Sequence, residues 1–295
     1  MSDSQHIPIP VHAHTPHHTT APERFDESEL TSFVERAGGL VKDAPANDVA
    51  NSVVVTPGGG VFKTITDAIN SISDAGAEKE YVISAGPGTY TEQVILKPWL
   101  HLTGVNGGGT IVTWPAPNDA FKKGTIVAAA NASVMNMEII STGTAWGCWM
   151  TGVDCGGANP FSIQSCNIAL IDMGVQGCNM YGVSVDYNAA NSGNSVVYLY
   201  YAIIKADATA QNNNPIGVIS FGGAFTQAVS SKVIAASPSG WSWGMNSALN
   251  STVIAQGSYI SAQQWALVIN QPPSVLKAQS CQINGPVGPG VVVTT

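Results

Sequence analysis

Charge is the scarcest property of this chain. Of its 295 residues, 10% are Asp, Glu, Lys or Arg, against about a quarter in an ordinary globular protein. Arginine is nearly missing: Arg24 and Arg36 are the two copies, and the formal net charge is -8. No basic stripe exists for a phosphate backbone to follow, so nucleic acid is not an expected partner. No apolar run long enough to cross a bilayer occurs, so no membrane-spanning helix is expected, and no membrane partner. Five cysteines (Cys148, Cys155, Cys166, Cys178, Cys281) are an odd number without Cys-x-x-Cys spacing. They are expected as buried small hydrophobes, not as a disulfide frame or zinc site, and no metal or cofactor is expected. The N-terminal stretch, 1–25, lacks the basic start and apolar core of a secretion signal. The chain therefore reads as cytoplasmic, or as secreted if the sequence is a mature form.

What is present is Gly, Ala, Ser, Asn, Val and Ile, the composition of a β-rich protein with many tight turns. Residues 1–25, "HIPIPVHAHTPHHTTAP" at their centre, offer too little apolar surface to order themselves and read as a flexible tail. Residues 26–50 read as a short helix and linker, with Leu30, Phe33, Val34 and Ala37 at helical spacing. A second helix is expected after Thr64, where Phe62, Ile65, Ile69 and Ile72 share a face and Thr64 with Asp67 resembles a capping pair. From Tyr81 onward the pattern changes to short β segments between Gly-rich turns.

Two repeats run through the second half. Ile140, Ile168, Ile204, Ile234, Ile260 and Ile283 each end a similar segment. Gly124, Gly147, Gly217, Gly244, Ala266 and Gly290 each open another. A period of about 24 residues accounts for both if one further coil hides between Ile168 and Ile204. Two β segments per period, without helices, are expected to form a parallel β-helix in which each coil buries its inward side chains against its neighbours. A β-sandwich or jelly roll is the competing reading. The expected domain is a single β-helix over residues 51–295.

"VVVTPGGGVFKTITDAINSI" followed by "YVISAGPGTYTEQVILKPWLHLTGVNGGGTIV" resembles the start of the pectin methylesterase (pectinesterase) family. A Gly-rich turn, a Phe-x-Thr-Ile helix start and Pro-Gly-x-Tyr-x-Glu (Pro87, Gly88, Tyr90, Glu92) stand in the family's order between Val53 and Val112. The resemblance implies a right-handed parallel β-helix plugged by an N-terminal helix. It implies much less about activity. The family's Gln-Ala-Val-Ala-Leu strand falls at "AWGCW", which holds no glutamine. Its Gln-Asp-Thr segment falls at Asp172, with Ile171 in the place of the glutamine. Its nucleophile strand is echoed by "VDYNAANSG", which puts Asp186 at the nucleophile position, and its arginine motif has no counterpart.

Asp172 and Asp186 are therefore the candidate catalytic residues, though their separation in sequence is too short to match the repeat. Trp146, Trp149, Tyr181, Tyr187, Trp241 and Trp243 fall in stretches that would line the family's cleft, and are the candidate substrate-binding residues. Three functions stay open. The first is a repurposed family member that binds a neutral organic molecule and guides an isomerisation, cyclisation or elimination. The second is a divergent carbohydrate esterase, and the third a non-catalytic carbohydrate-binding or structural β-helix.

Overall fold

The computed structural model describes residues 51–105, 109–116, 124–186 and 195–295. The tail, the expected helix around Leu30 and the candidate residue Tyr187 lie outside them. Every strand pairing within the sheets is parallel, in sheets of ten, eight and seven strands that we call first, second and third. A coil contributes one strand to each in turn: Phe161–Gln164, then Asn167–Ile171, then Asn179–Val185. The next coil lies on it in register. This is a parallel β-helix, as the two repeats predicted.

The inward columns explain why these segments stack. Ile83, Leu102, Val134, Ile163 and Leu199 are cross-strand neighbours in the first sheet, and all are fully buried. In the second sheet the column is Val112, Ile139, Ile168, Ile204, Val233 and Ile260. Burying each such side chain contributes about 1.5–3 kcal/mol, and no coil could bury its own without a neighbour. Ile140 and Ile234, read from the sequence as members of this column, stand one residue out of phase. They face outward beside Ala169 and Lys205. The column runs from Ile139 through Ile168, Ile204, Val233 and Ile260 to Ile283, and every step but the last is longer than the expected period. No coil is hidden between Ile168 and Ile204, which are direct neighbours. The repeat is therefore both longer and less even than the sequence suggested.

In six coils the turn between the first and second sheets passes through one left-handed residue. Asn136, Ser165, Tyr201, Ser230, Gly257 and Ser280 all have φ between 48° and 56°. The next residue points into the core, as with Cys166 and Ala202. Left-handed backbone costs an ordinary L-residue about 1–2 kcal/mol, and Asn tolerates it better. Tyr201, 61% exposed, loses little packing on replacement. Tyr201→Asn is expected to raise stability by about 0.5–1 kcal/mol, measured as a higher urea midpoint with unchanged slope.

The helix expected after Thr64 is α1, Ile65–Ser71, capped by Thr64 Oγ1, which accepts from Asp67 N at 3.0 Å. The Pro-Gly-x-Tyr-x-Glu residues hold it in place. Both carboxylate oxygens of Glu92 accept from the helix start, at Ile65 N and Thr66 N, each 2.9 Å. Lys97 Nζ donates to Ile69 O and Ile72 O at the other end. Tyr90 Oη donates to Val55 O at 3.1 Å. The five cysteines are free thiols, and four of them are buried. Burial first, then the hydrogen bond with Cys178, pushes the Cys148 thiol up to about 12.

Candidate functional site

Successive third-sheet strands carry one four-residue pattern that the two sequence repeats only partly revealed. It reads Thr151-Gly-Val-Asp154, Tyr181-Gly-Val-Ser184, Ile216-Gly-Val-Ile219, Trp243-Gly-Met-Asn246 and Trp265-Ala-Leu-Val268, each in register with the next. The third residue enters the core, and the first and fourth face outward. The second must be small. A methyl group built on Gly152, Gly182 or Gly217 would lie 2.2–2.3 Å from the inward side chains of Ile168, Ile204 and Val233 respectively. The Ile and Gly repeats are thus the two sides of one contact. Gly124, Gly147 and Gly290, grouped by sequence with this column, stand outside it, and Gly152 and Gly182 take the positions that were missed.

The outward residues assemble an apolar, aromatic face. Tyr181, Ile216 and Ile219 are buried on it, with Trp149, Phe221, Trp241 and Trp243 packed against them. The rings of Trp149 and Tyr181 lie 5.8 Å apart and those of Trp241 and Trp243 4.8 Å apart. Trp243 Nε1 donates to Gln264 Oε1 at 3.0 Å. Four candidate binding residues, Trp149, Tyr181, Trp241 and Trp243, therefore meet on one face. Trp146 does not join them; it is 77% exposed and stands over Gly177 in the turn before the sheet. The seven third-sheet strands contain no Lys or Arg. Their outward line places Asp154, Ser184 and Asn246 beside the aromatic residues.

Sequence reading passed over Asp154, Asn246 and Trp265. Their signal was the residue just before, and the residue two after, each small residue of the column. Unequal coil lengths concealed it.

The two candidate catalytic carboxylates are not brought together. Asp172 follows the second-sheet strand and Asp186 follows the third-sheet strand of the same coil. The strand between them, Asn179–Val185, spans about 20 Å. Asp172 is fully buried and accepts five hydrogen bonds. Gly174 N and Thr209 Oγ1 donate to one oxygen; Thr209 N, Ala210 N and Asn213 Nδ2 donate to the other. Burial would raise its pKa, but the bonds from Ala210, Thr209 and Gly174 outweigh it and hold the carboxyl below the usual carboxylate range. Asp186 has left-handed backbone, with φ 51°. It accepts from Gly157 N at 3.0 Å, Ser195 N at 3.1 Å and Ser195 Oγ at 2.7 Å. Both groups tie neighbouring coils together.

No family model and no curated protein sequence matches this chain. Solved structures do. A pectin methylesterase from carrot superposes with a TM-score of 0.53 at 16% identity, covering 85% of this chain and 90% of its own. A pectin methylesterase from Aspergillus niger gives 0.52 at 16% identity, covering 84% and 87%. With its three parallel sheets and its plug helix, the chain is thus built on the right-handed parallel β-helix fold of the pectin methylesterases.

Proposed function

We propose that the outer face of the third sheet binds a neutral, ring-containing organic molecule and directs a non-hydrolytic isomerisation, cyclisation or elimination, in place of the ester hydrolysis associated with the fold. The observation that carries this reading is the meeting of Trp149, Tyr181, Trp241 and Trp243 with Ile216 and Ile219, on strands free of Lys and Arg. Aromatic faces attract flat rings through area burial and offset stacking. A lining without Lys or Arg selects against anionic substrates, because an anion leaving water there would find no counter-charge. Such reactions need a fixed reactive conformation and one group to move a proton. Asp154 is the carboxylate in the outward columns of this face, and we assign it the proton transfer. Asp172 and Asp186 serve as the framework around it.

Ester hydrolysis is the reading it displaces. Loss of one oxyanion donor costs about 100-fold or more in rate, and the glutamines and arginine of the esterase pattern have no counterparts here.

The test is tryptophan fluorescence during titration with naphthalene as a neutral ring probe. Saturable quenching is expected, and Trp243→Ala is expected to weaken it about tenfold, from lost area and stacking. Unchanged affinity in that variant would overturn the reading. So would methanol release from methylated pectin that Asp186→Asn abolishes.

A further inference from the structure

Asn246 carries an inference that rests on the reading above and names the chemistry of the ligand. Its side chain is fully buried, and neither Nδ2 nor Oδ1 has a hydrogen-bond partner among the described residues. Buried carboxamides are nearly always bonded, because leaving one dry and unpaired is costly. Asn246 also lies on the aromatic face. It is in register with Ile219, which belongs to the aromatic cluster, and it shares its strand with Trp243. Its strand neighbour Met245 belongs to the core, which leaves the amide pointing outward.

We infer that Asn246 is the specificity-determining anchor of the site, and that the ligand presents a hydrogen-bond donor and acceptor side by side on one edge of a flat neutral ring, as a cis-lactam does. Both ends of the amide are unpaired, so a single acceptor or donor on the ligand would leave one end unmet. A lactam edge satisfies the two together, its N–H donating to Oδ1 and its carbonyl accepting from Nδ2. Asn246 is closed to solvent here, so a ligand reaches its amide by displacing the side chains that cover it, and the pairing forms away from water, where a hydrogen bond discriminates most strongly against analogues that lack it. Trp243, three residues before Asn246 on the same strand, and its cross-strand partner Trp265 are half-buried, so the ring body meets indole while its polar edge meets the amide. The seven strands hold no cation, which makes a carboxylate a poor substitute for the lactam.

The probes are quinolin-2(1H)-one, its N-methyl derivative and naphthalene, titrated against the full chain and against Asn246→Leu. The native chain is expected to bind quinolinone at least about tenfold more tightly than naphthalene, a margin typical of a paired buried polar group, and N-methylation is expected to remove that preference. Asn246→Leu is expected to bind the three probes alike and to melt at a higher temperature, since the unpaired amide is gone. Equal native affinity for quinolinone and naphthalene would overturn this inference and leave the aromatic-face reading standing. A preference that survives Asn246→Leu would overturn it as well. Failure of every probe to bind would overturn both. The N-methyl comparison uses native protein, so the inference stays testable if the variant folds poorly.

Discussion

Replacing Asp172 by Asn is expected to lower stability by about 3 kcal/mol, as breaking a buried hydrogen-bond network does. The carboxylate accepts from Gly174 N, Thr209 N and Oγ1, Ala210 N and Asn213 Nδ2. An amide offers one oxygen to that set and turns an N–H₂ toward backbone N–H groups that can only repel it. The pH dependence follows from the same bonds. They hold the folded pKa below that of the unfolded chain, despite the opposing effect of burial. The stabilisation is therefore complete above the unfolded value of about 3.9 and disappears as pH falls through the lower folded value. Urea titrations between about pH 2 and 7 should show an acid-limb loss in the native chain that is reduced in Asp172→Asn. A variant of native stability that has lost turnover would place Asp172 in the chemistry instead.

Gly182→Ala is expected to be among the most damaging single-methyl changes in the described residues. The added carbon would sit 2.2 Å from Ile204 Cγ2 and 2.5 Å from the carbonyl oxygen of Gly217. The side chain can turn aside, but the carbonyl belongs to the ladder joining two coils and cannot. Overpacking of this kind costs about 3 kcal/mol or more. Far-ultraviolet circular dichroism with thermal melting measures it. The double variant with Ile204→Ala is expected to recover part of the loss, because one contact of the two remains. Gly58→Ala, whose added methyl would meet nothing within 4 Å, is the control and should change stability by less than about 0.5 kcal/mol. A Gly182→Ala protein as stable as this control would show that neighbouring coils can separate freely at the column.

The plug helix was legible at its start, although Phe62, read as part of its face, precedes the cap and Ile72 follows the last turn. Thr64 caps it, and Ile65 and Ile69 turn inward, because a cap and a helical stripe are local patterns that sequence states directly. The coils were legible as a kind of structure but not as a count. Ile168 and Ile204 look like members of different steps until strand pairing makes them neighbours. A coil can lengthen in a turn without disturbing its strands, so sequence distance does not measure position along the axis. The same insensitivity hid Asp154, Asn246 and Trp265, whose shared place depends on register.

The candidate carboxylates show the limit most clearly. Comparison of motifs singled out Asp172 and Asp186, yet a strand's length separates them, and backbone amides and hydroxyls occupy both. For the aromatic residues the outcome differed: Trp149, Tyr181, Trp241 and Trp243, widely spaced in sequence, share one face. From sequence alone came the class of fold, its plugged end and the residue types available to a site, since these follow from local periodicity, capping and composition. The tertiary structure alone decided which of those residues meet, because parallel stacking converts register into proximity and does so through turns of unequal length.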